Sequence, residues 1–196
     1  MTKQRIRSLL IGSMIVFTTA SMAYSGILRV PFIGGFQASQ EARQISLRPG
    51  NEVAVVYIGS SVCPASTRPE LRGELQRLFA GMKAQAEAKG HAFASIGIAK
   101  DLNVEAGLEH LKSLPVPFDE VMTGRGWLNS GLLKYIYNDH PGRAATPQIL
   151  VLTRVATRDQ GGWNIVNERL IERKVGLAEI MSWSDPEIAL PQLSSR

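Results

Sequence analysis

Apolar residues follow two different periodicities along this chain, and the change from one to the other predicts its first elements. The run Val53–Ile58 is rich in β-branched residues and carries no charge, which is typical of a buried strand. Beyond it, apolar side chains recur at helical spacing up to the stop at Gly90, namely at Leu71, Leu75, Leu78, Phe79, Met82 and Ala86. The pattern therefore predicts a central strand followed by a long amphipathic helix.

The rest of the chain continues this alternation. The predicted elements are a strand over Phe93–Ala99, a helix capped by Asn103, a helix around Trp127–Ile136, a hairpin of strands Gln148–Val155 and Trp163–Val175 with its turn at 157–162, and a short helix over Leu177–Trp183. Parallel strands joined by helices, with an antiparallel hairpin at the end, predict a mixed α/β sheet flanked by helices.

The N-terminal segment predicts a membrane anchor. Residues 8–28 carry no charge, and a helix of that length spans roughly 30 Å, the thickness of a bilayer core. The cations Lys3, Arg5 and Arg7 precede this stretch and only Arg29 follows closely, which favours a cytoplasmic N-terminus. We expect a single-pass protein of the bacterial inner membrane whose C-terminal domain lies in the periplasm. The alternative is a signal peptide cleaved after Ala23.

Charge and turn residues divide the chain further. The formal net charge is +5, but residues 1–30 hold four of the 22 basic residues and no acid, which leaves 18 basic against 17 acidic residues. Without a clustered basic surface, nucleic acid is not an expected partner. We predict an anchor over 1–30, a linker rich in Pro and Gly over 31–50, one domain over 51–184 and a tail over 185–196.

Cys63 is the only cysteine in the chain, so it cannot form an internal disulfide. In an exported protein it is either an inert buried thiol or one that pairs with another molecule. The three histidines, His91, His110 and His140, are isolated in sequence, whereas zinc and copper sites group their ligands. We therefore expect no metal and no cofactor, and we assign the histidines surface or capping roles.

Three segments carry a resemblance to a known family. These are the turn Leu47–Glu52 before the first strand, the motif Cys63-Pro64-Ala65-Ser66, and Thr146-Pro147 before a later strand. In this order and spacing, over about residues 45–184, the chain resembles thioredoxin-like proteins of the TlpA and cytochrome-c-maturation type. The resemblance implies a nucleophilic Cys63 at a helix N-terminus, where the thiolate is favoured, facing a cis Pro147. It also implies that the backbone of Thr146 pairs with a partner peptide.

The chain departs from that family at the positions that carry its redox chemistry. Ser66 stands where the second cysteine of the motif is expected, so a mixed disulfide on Cys63 would have no internal thiol to release it. Tyr57 stands where a buried acid is common, and its reference pKa near 10 makes it a poor proton acceptor. The motif is therefore a monothiol CxxS.

These departures leave three functions open. The first expectation is a non-catalytic accessory or assembly subunit that binds other membrane or periplasmic proteins. The alternative is a monothiol redox protein in which Cys63 attacks a partner's sulfur, Ser66 stabilises the thiolate, and Thr146 and Pro147 hold the partner's backbone. The minor alternative is a peroxiredoxin-like peroxidase that uses Cys63 with Ser60 and Arg143.

Overall fold

The computed structural model describes residues 42–44, 50–159 and 162–183, the side chains of 42–44, 159, 162 and 163 excepted. The predicted anchor over 1–30 and the predicted tail over 185–196 lie outside the described residues. Within the described part of the chain, no helix is long and apolar enough to cross a membrane.

The described residues form a mixed sheet flanked by helices, as the sequence predicted, and this sheet has six strands. Its strands are β1 (Ala42–Gln44), β2 (Gly50–Gly59), β3 (Ala92–Ala99), β4 (Glu120–Thr123), β5 (Gln148–Asp159) and β6 (Gly162–Val175). Its helices are α1 (Pro69–Ala88), α2 (Val104–Ser113), α3 (Ser130–Leu132, continued as a π-helix over Leu133–Asn138) and α4 (Leu177–Met181). The strand order is β1-β4-β3-β2-β5-β6, in which β2, β3 and β4 run parallel and the other pairings are antiparallel.

Strand β2 lies in the middle of the sheet and is buried on both faces. Alternate side chains point to opposite faces of a strand, so β2 contributes to two cores. Val53, Val55 and Tyr57 pack with α1 on one face, and Ala54, Val56 and Ile58 pack with α3 on the other. This double burial explains why the strand reads as a continuous apolar run without alternation.

Helix α1 covers one face of the sheet with the side chains that the periodicity identified. All six are buried. Full burial of a large apolar side chain contributes about 1.5–3 kcal/mol, so this stripe fixes α1 over β2 and β3. Asn103 caps α2 as predicted, because its side-chain oxygen accepts a hydrogen bond from the backbone N–H of Ala106 at 2.8 Å.

Four details differ from the sequence prediction. Strand pairing continues through Thr157↔Asn164 and Arg158↔Trp163, so the predicted turn at 157–162 was too long. The helix predicted around 127–136 is divided, because Asn129 adopts an extended ψ and caps a new segment at Ser130. Strand β4 was missed, since four residues are too few for a period-2 signal. Strand β1 lies inside the predicted linker.

Candidate functional site

The carboxyl ends of β2 and β3 meet at one edge of the sheet, and the loop that holds Cys63 leaves from there. The two strands are parallel and in register up to Gly59↔Ala99. Asp101, just past β3, therefore reaches the loop past β2. Its carboxylate accepts hydrogen bonds from the Ser61 backbone N–H at 3.1 and 3.2 Å and also from the Ser61 hydroxyl. Buried Asp101 thus fixes the backbone two residues before Cys63.

Cys63 opens a separate turn and does not begin the helix, which corrects the sequence prediction. The N–H groups of Ser66 and Thr67 donate to the carbonyl of Cys63 at 3.0 and 3.2 Å, and α1 starts only at Pro69. Arg68 has an extended backbone, as residues before proline prefer, and this separates the turn from the helix. The thiol therefore sees the N–H groups of its own turn.

The thiol faces the segment that the sequence singled out 83 residues later. The Thr146–Pro147 peptide bond is cis, as predicted. The thiol of Cys63 donates to the carbonyl oxygen of Thr146, with an S···O distance of 3.4 Å. Cys63 is partly exposed and Pro147 is buried, so the structure places a reachable thiol directly against the Thr146 backbone.

The surroundings of Cys63 favour its thiolate. Burial raises the pKa of the thiol, but hydrogen bonding outweighs this and the pKa lies below its ordinary value. The lowering comes from the side chains of Thr146 and Ser66 and from the backbone N–H groups of Ser66 and Ala65. Since the thiolate is the nucleophile in sulfur chemistry, a lowered pKa increases the nucleophilic fraction of Cys63.

Beneath the thiol lies a group of buried hydroxyls. Ser66 is 1% exposed, and its hydroxyl lies close enough to Cys63 and to Tyr57 to lower the pKa of both groups. The Ser66 hydroxyl nevertheless has no hydrogen-bond partner of acceptable geometry. Tyr57 is fully buried, and burial raises its pKa strongly, which keeps the phenol protonated.

His110 and Asp101 belong to this site although the sequence assigned neither to it. His110 is 6% exposed, and its Nε2 lies 3.3 Å from the Tyr57 hydroxyl. The surface roles expected for the histidines were wrong, because His91 and His140 are buried as well. For His110, the α2 periodicity held a signal: it neighbours Leu111, whose buried face it shares. Asp101 carried no signal beyond its position after a strand.

The peroxidase alternative adds Ser60 and Arg143 to Cys63. The Ser60 side chain is buried and donates to Asp101 at 3.5 Å, at the limit of hydrogen-bonding distance. Arg143 is exposed, and its backbone carbonyl accepts from Gln148 at 2.6 Å. Within the described ranges, no group of three or more His, Cys, Asp or Glu side chains is arranged to hold a metal ion.

Among the comparisons with known proteins, only the comparison with solved structures found matches. No protein-family model matches the chain, and no curated protein matches it. A thiol-disulfide isomerase from Corynebacterium glutamicum is 16% identical over 76% of this chain and 88% of its own, with a TM-score of 0.39. A putative thiol:disulfide interchange protein DsbE from Chlorobium tepidum is 16% identical over 71% and 83%, with a TM-score of 0.35. Yeast Sco1 is 20% identical over 60% and 73%, with a TM-score of 0.34.

These scores are too low to transfer an activity, so the fold assignment rests on the chain's own topology. Three features support it: a central β2 between parallel β3 and antiparallel β5, a cysteine turn directly after β2, and a cis proline at the start of β5. The described part of the chain has the mixed, helix-flanked sheet of the thioredoxin-like fold.

Proposed function

We propose that this protein exchanges disulfides with other proteins through a single thiol, Cys63. The observation that carries the proposal is the thiol itself: partly exposed, with a lowered pKa, and 3.4 Å from the backbone oxygen of Thr146. An inert cysteine in a core would be enclosed by apolar side chains and its pKa would be raised. Thr146 and Pro147 provide the backbone against which a partner's peptide would lie.

The chemistry needs two displacement steps. The Cys63 thiolate attacks one sulfur of a partner disulfide, the Cys63–partner bond forms, and the partner's other sulfur leaves as a thiolate. An external protein or small-molecule thiolate then attacks the partner's sulfur in the mixed disulfide, and Cys63 leaves as a thiolate. The external thiol replaces the internal one that Ser66 cannot supply.

The second candidate is the non-catalytic accessory subunit. It is favoured by the presence of Ser66, a buried hydroxyl, at the position where the second thiol would lie. In this role the domain binds a membrane protein complex without sulfur exchange. For both candidates we propose that residues 8–28 anchor the chain in the bacterial inner membrane, with the domain and its protein partners on the periplasmic side.

One experiment separates the two candidates. The full chain and its Cys63→Ser variant are purified from native membranes in mild detergent after rapid thiol blocking, each with and without reductant. For sulfur exchange we expect partner proteins that are lost on reduction and absent from the variant. Partners that persist in all four samples would overturn the exchange proposal and establish an accessory subunit.

A further inference from the structure

The Tyr57 hydroxyl and His110 form a buried polar pair below the thiol turn. The Tyr57 oxygen lies 3.3 Å from His110 Nε2, and both residues lie in the core between β2 and α2. The phenol ring is held on two sides. It stacks on Phe118 at 6.2 Å between centroids, and it lies so close to Gly59 that a Cβ there would collide with the Tyr57 hydroxyl.

Ser66 is close to both Tyr57 and the sulfur, because its hydroxyl lowers the pKa of each. Its hydroxyl is buried and unpaired while the Cys63 proton points to the Thr146 carbonyl. Buried hydroxyls almost always find a partner, so an unpaired one beside a reactive sulfur needs an explanation. A thiolate would supply the missing acceptor, because it has lost the proton that pairs with Thr146 and can accept the Ser66 O–H.

Resting on the exchange function proposed above, we propose that His110, Tyr57 and Ser66 form a hydrogen-bond chain that ends on the Cys63 sulfur and stabilises its thiolate. In this chain the Nε2–H of His110 donates to Tyr57, the Tyr57 O–H donates to Ser66, and the Ser66 O–H donates to the sulfur. Each donor polarises the next, so the chain stabilises the anion more than Ser66 alone would. Tyr57 and His110 are positioning residues, since they act through Ser66.

The charged groups around these hydrogen bonds are compatible with donation from His110 towards the sulfur. Burial lowers the pKa of His110, Asp101 opposes that effect, and Arg72 on α1 adds to it. The histidine is therefore neutral at neutral pH and can act as an N–H donor in its Nε2–H tautomer. Asp101 also raises the pKa of Tyr57, which keeps the middle link protonated.

The test is a titration of the Cys63 thiolate by its absorbance at 240 nm in the full chain. Ser66→Ala should lower the thiolate population at neutral pH about tenfold, equivalent to one unit of pKa. Tyr57→Phe and His110→Leu should each lower it about threefold. His110→Gln should restore it, since its amide keeps an N–H in a similar position. Thr67→Val is the matched control, because it removes an exposed hydroxyl from the same turn.

Two results would contradict the proposed hydrogen-bond chain. If Tyr57→Phe and His110→Leu leave the titration unchanged while Ser66→Ala shifts it, Ser66 acts alone. If His110→Gln behaves as His110→Leu, packing and not hydrogen bonding is responsible; thermal unfolding of each variant shows whether the fold is retained. Failure of the exchange function is distinguishable, because it appears as the absence of mixed disulfides in the wild-type chain, whatever its titration.

Discussion

The polar groups at the two ends of strand β2 differ: those at its start are charged and paired, and those at its end are neutral and include a hydroxyl without a partner. At its start, Glu52 lies in a fully buried ion triad: Arg154 donates through Nε to Glu52 at 2.6 Å and through a second nitrogen to Glu120. At its end, Tyr57 belongs to a neutral group that includes the unpaired hydroxyl of Ser66 and leads to a partly exposed thiol.

The difference separates structural polar groups from reactive ones. Buried charges must be paired, and Arg154 on β5 pairs directly with a carboxylate on β2 and one on β4, although Oε1 of Glu52 accepts no hydrogen bond within the described residues. At the thiol end the Ser66 hydroxyl has no acceptor, so it can donate a hydrogen bond to the sulfur when Cys63 becomes a thiolate. We expect substitutions at the triad to change the free energy of unfolding and those at the thiol end to change sulfur chemistry.

The largest effect, on disulfide exchange, should follow from introducing a second cysteine near Cys63. In Ser66→Cys the new thiol lies three residues after Cys63, in a turn closed by the 3.0 Å bond from the residue 66 N–H to the Cys63 carbonyl. A turn of this kind brings the two Cα atoms within about 7 Å, near the range for a disulfide. We expect the variant to form an internal disulfide and to reduce insulin faster than the wild-type chain, whose mixed disulfide is released only when an external thiol attacks it. Loss of free thiols on oxidation, titrated with Ellman's reagent, checks the bond. A variant that keeps two free thiols after oxidation would contradict this geometry.

The next effect should come from removing the cation of the triad. Arg154→Met leaves Glu52 and Glu120 buried without their shared partner, which should cost about 3–5 kcal/mol of unfolding free energy. Urea denaturation measures this loss. Adding Glu52→Gln and Glu120→Gln to the same variant should recover much of it, because no uncompensated charge is left. Equal stability of the single and triple variants would show that the uncompensated carboxylates do not cause the loss.

A smaller effect should result from Gly59→Ala. The added Cβ collides with the Tyr57 hydroxyl, so the phenol must move, and overpacking of this kind costs about 1–3 kcal/mol. We also expect slower alkylation of Cys63. Gly81→Ala is the matched control: the site has open space within α1, and alanine there should stabilise the fold by about 0.5–1 kcal/mol. If both variants unfold at the same urea concentration, the close approach at Gly59 is not a constraint.

The smallest effect concerns the pH dependence of stability. Burial, the largest influence, raises the pKa of Glu52 above 4.5, although Arg154 opposes it. The folded state therefore holds this proton to higher pH than the unfolded chain, so the free energy of unfolding falls as pH rises above 4.5. Glu52→Gln should flatten this fall and stay within about 1 kcal/mol of the wild type at pH 7. Urea denaturation across pH 4–7 tests it, and identical slopes would count against a raised pKa.

Much of the fold was predictable because its signals are local. The apolar run of β2, the helical stripe of α1 and the Asn103 cap each depend on neighbouring residues, and the structure confirms all three. The cis bond before Pro147 was expected only from the family resemblance, because most X–Pro bonds are trans and residue type alone does not identify a cis bond. The sequence predicted both strands of the β5–β6 hairpin but not the end of β5 beyond Val155, because cross-strand pairing extends that strand through residues with turn character.

The sequence by itself determined which groups are present: one thiol, a serine where a second would lie, and apolar segments that build a mixed sheet. Only the tertiary structure decided how those groups meet. It brought His110 to Tyr57 across 53 positions and Thr146 to Cys63 across 83, and it buried Arg154 between two carboxylates. The physical reason is that periodicity records which face of an element is apolar, whereas burial of a polar side chain depends on partners contributed by distant strands.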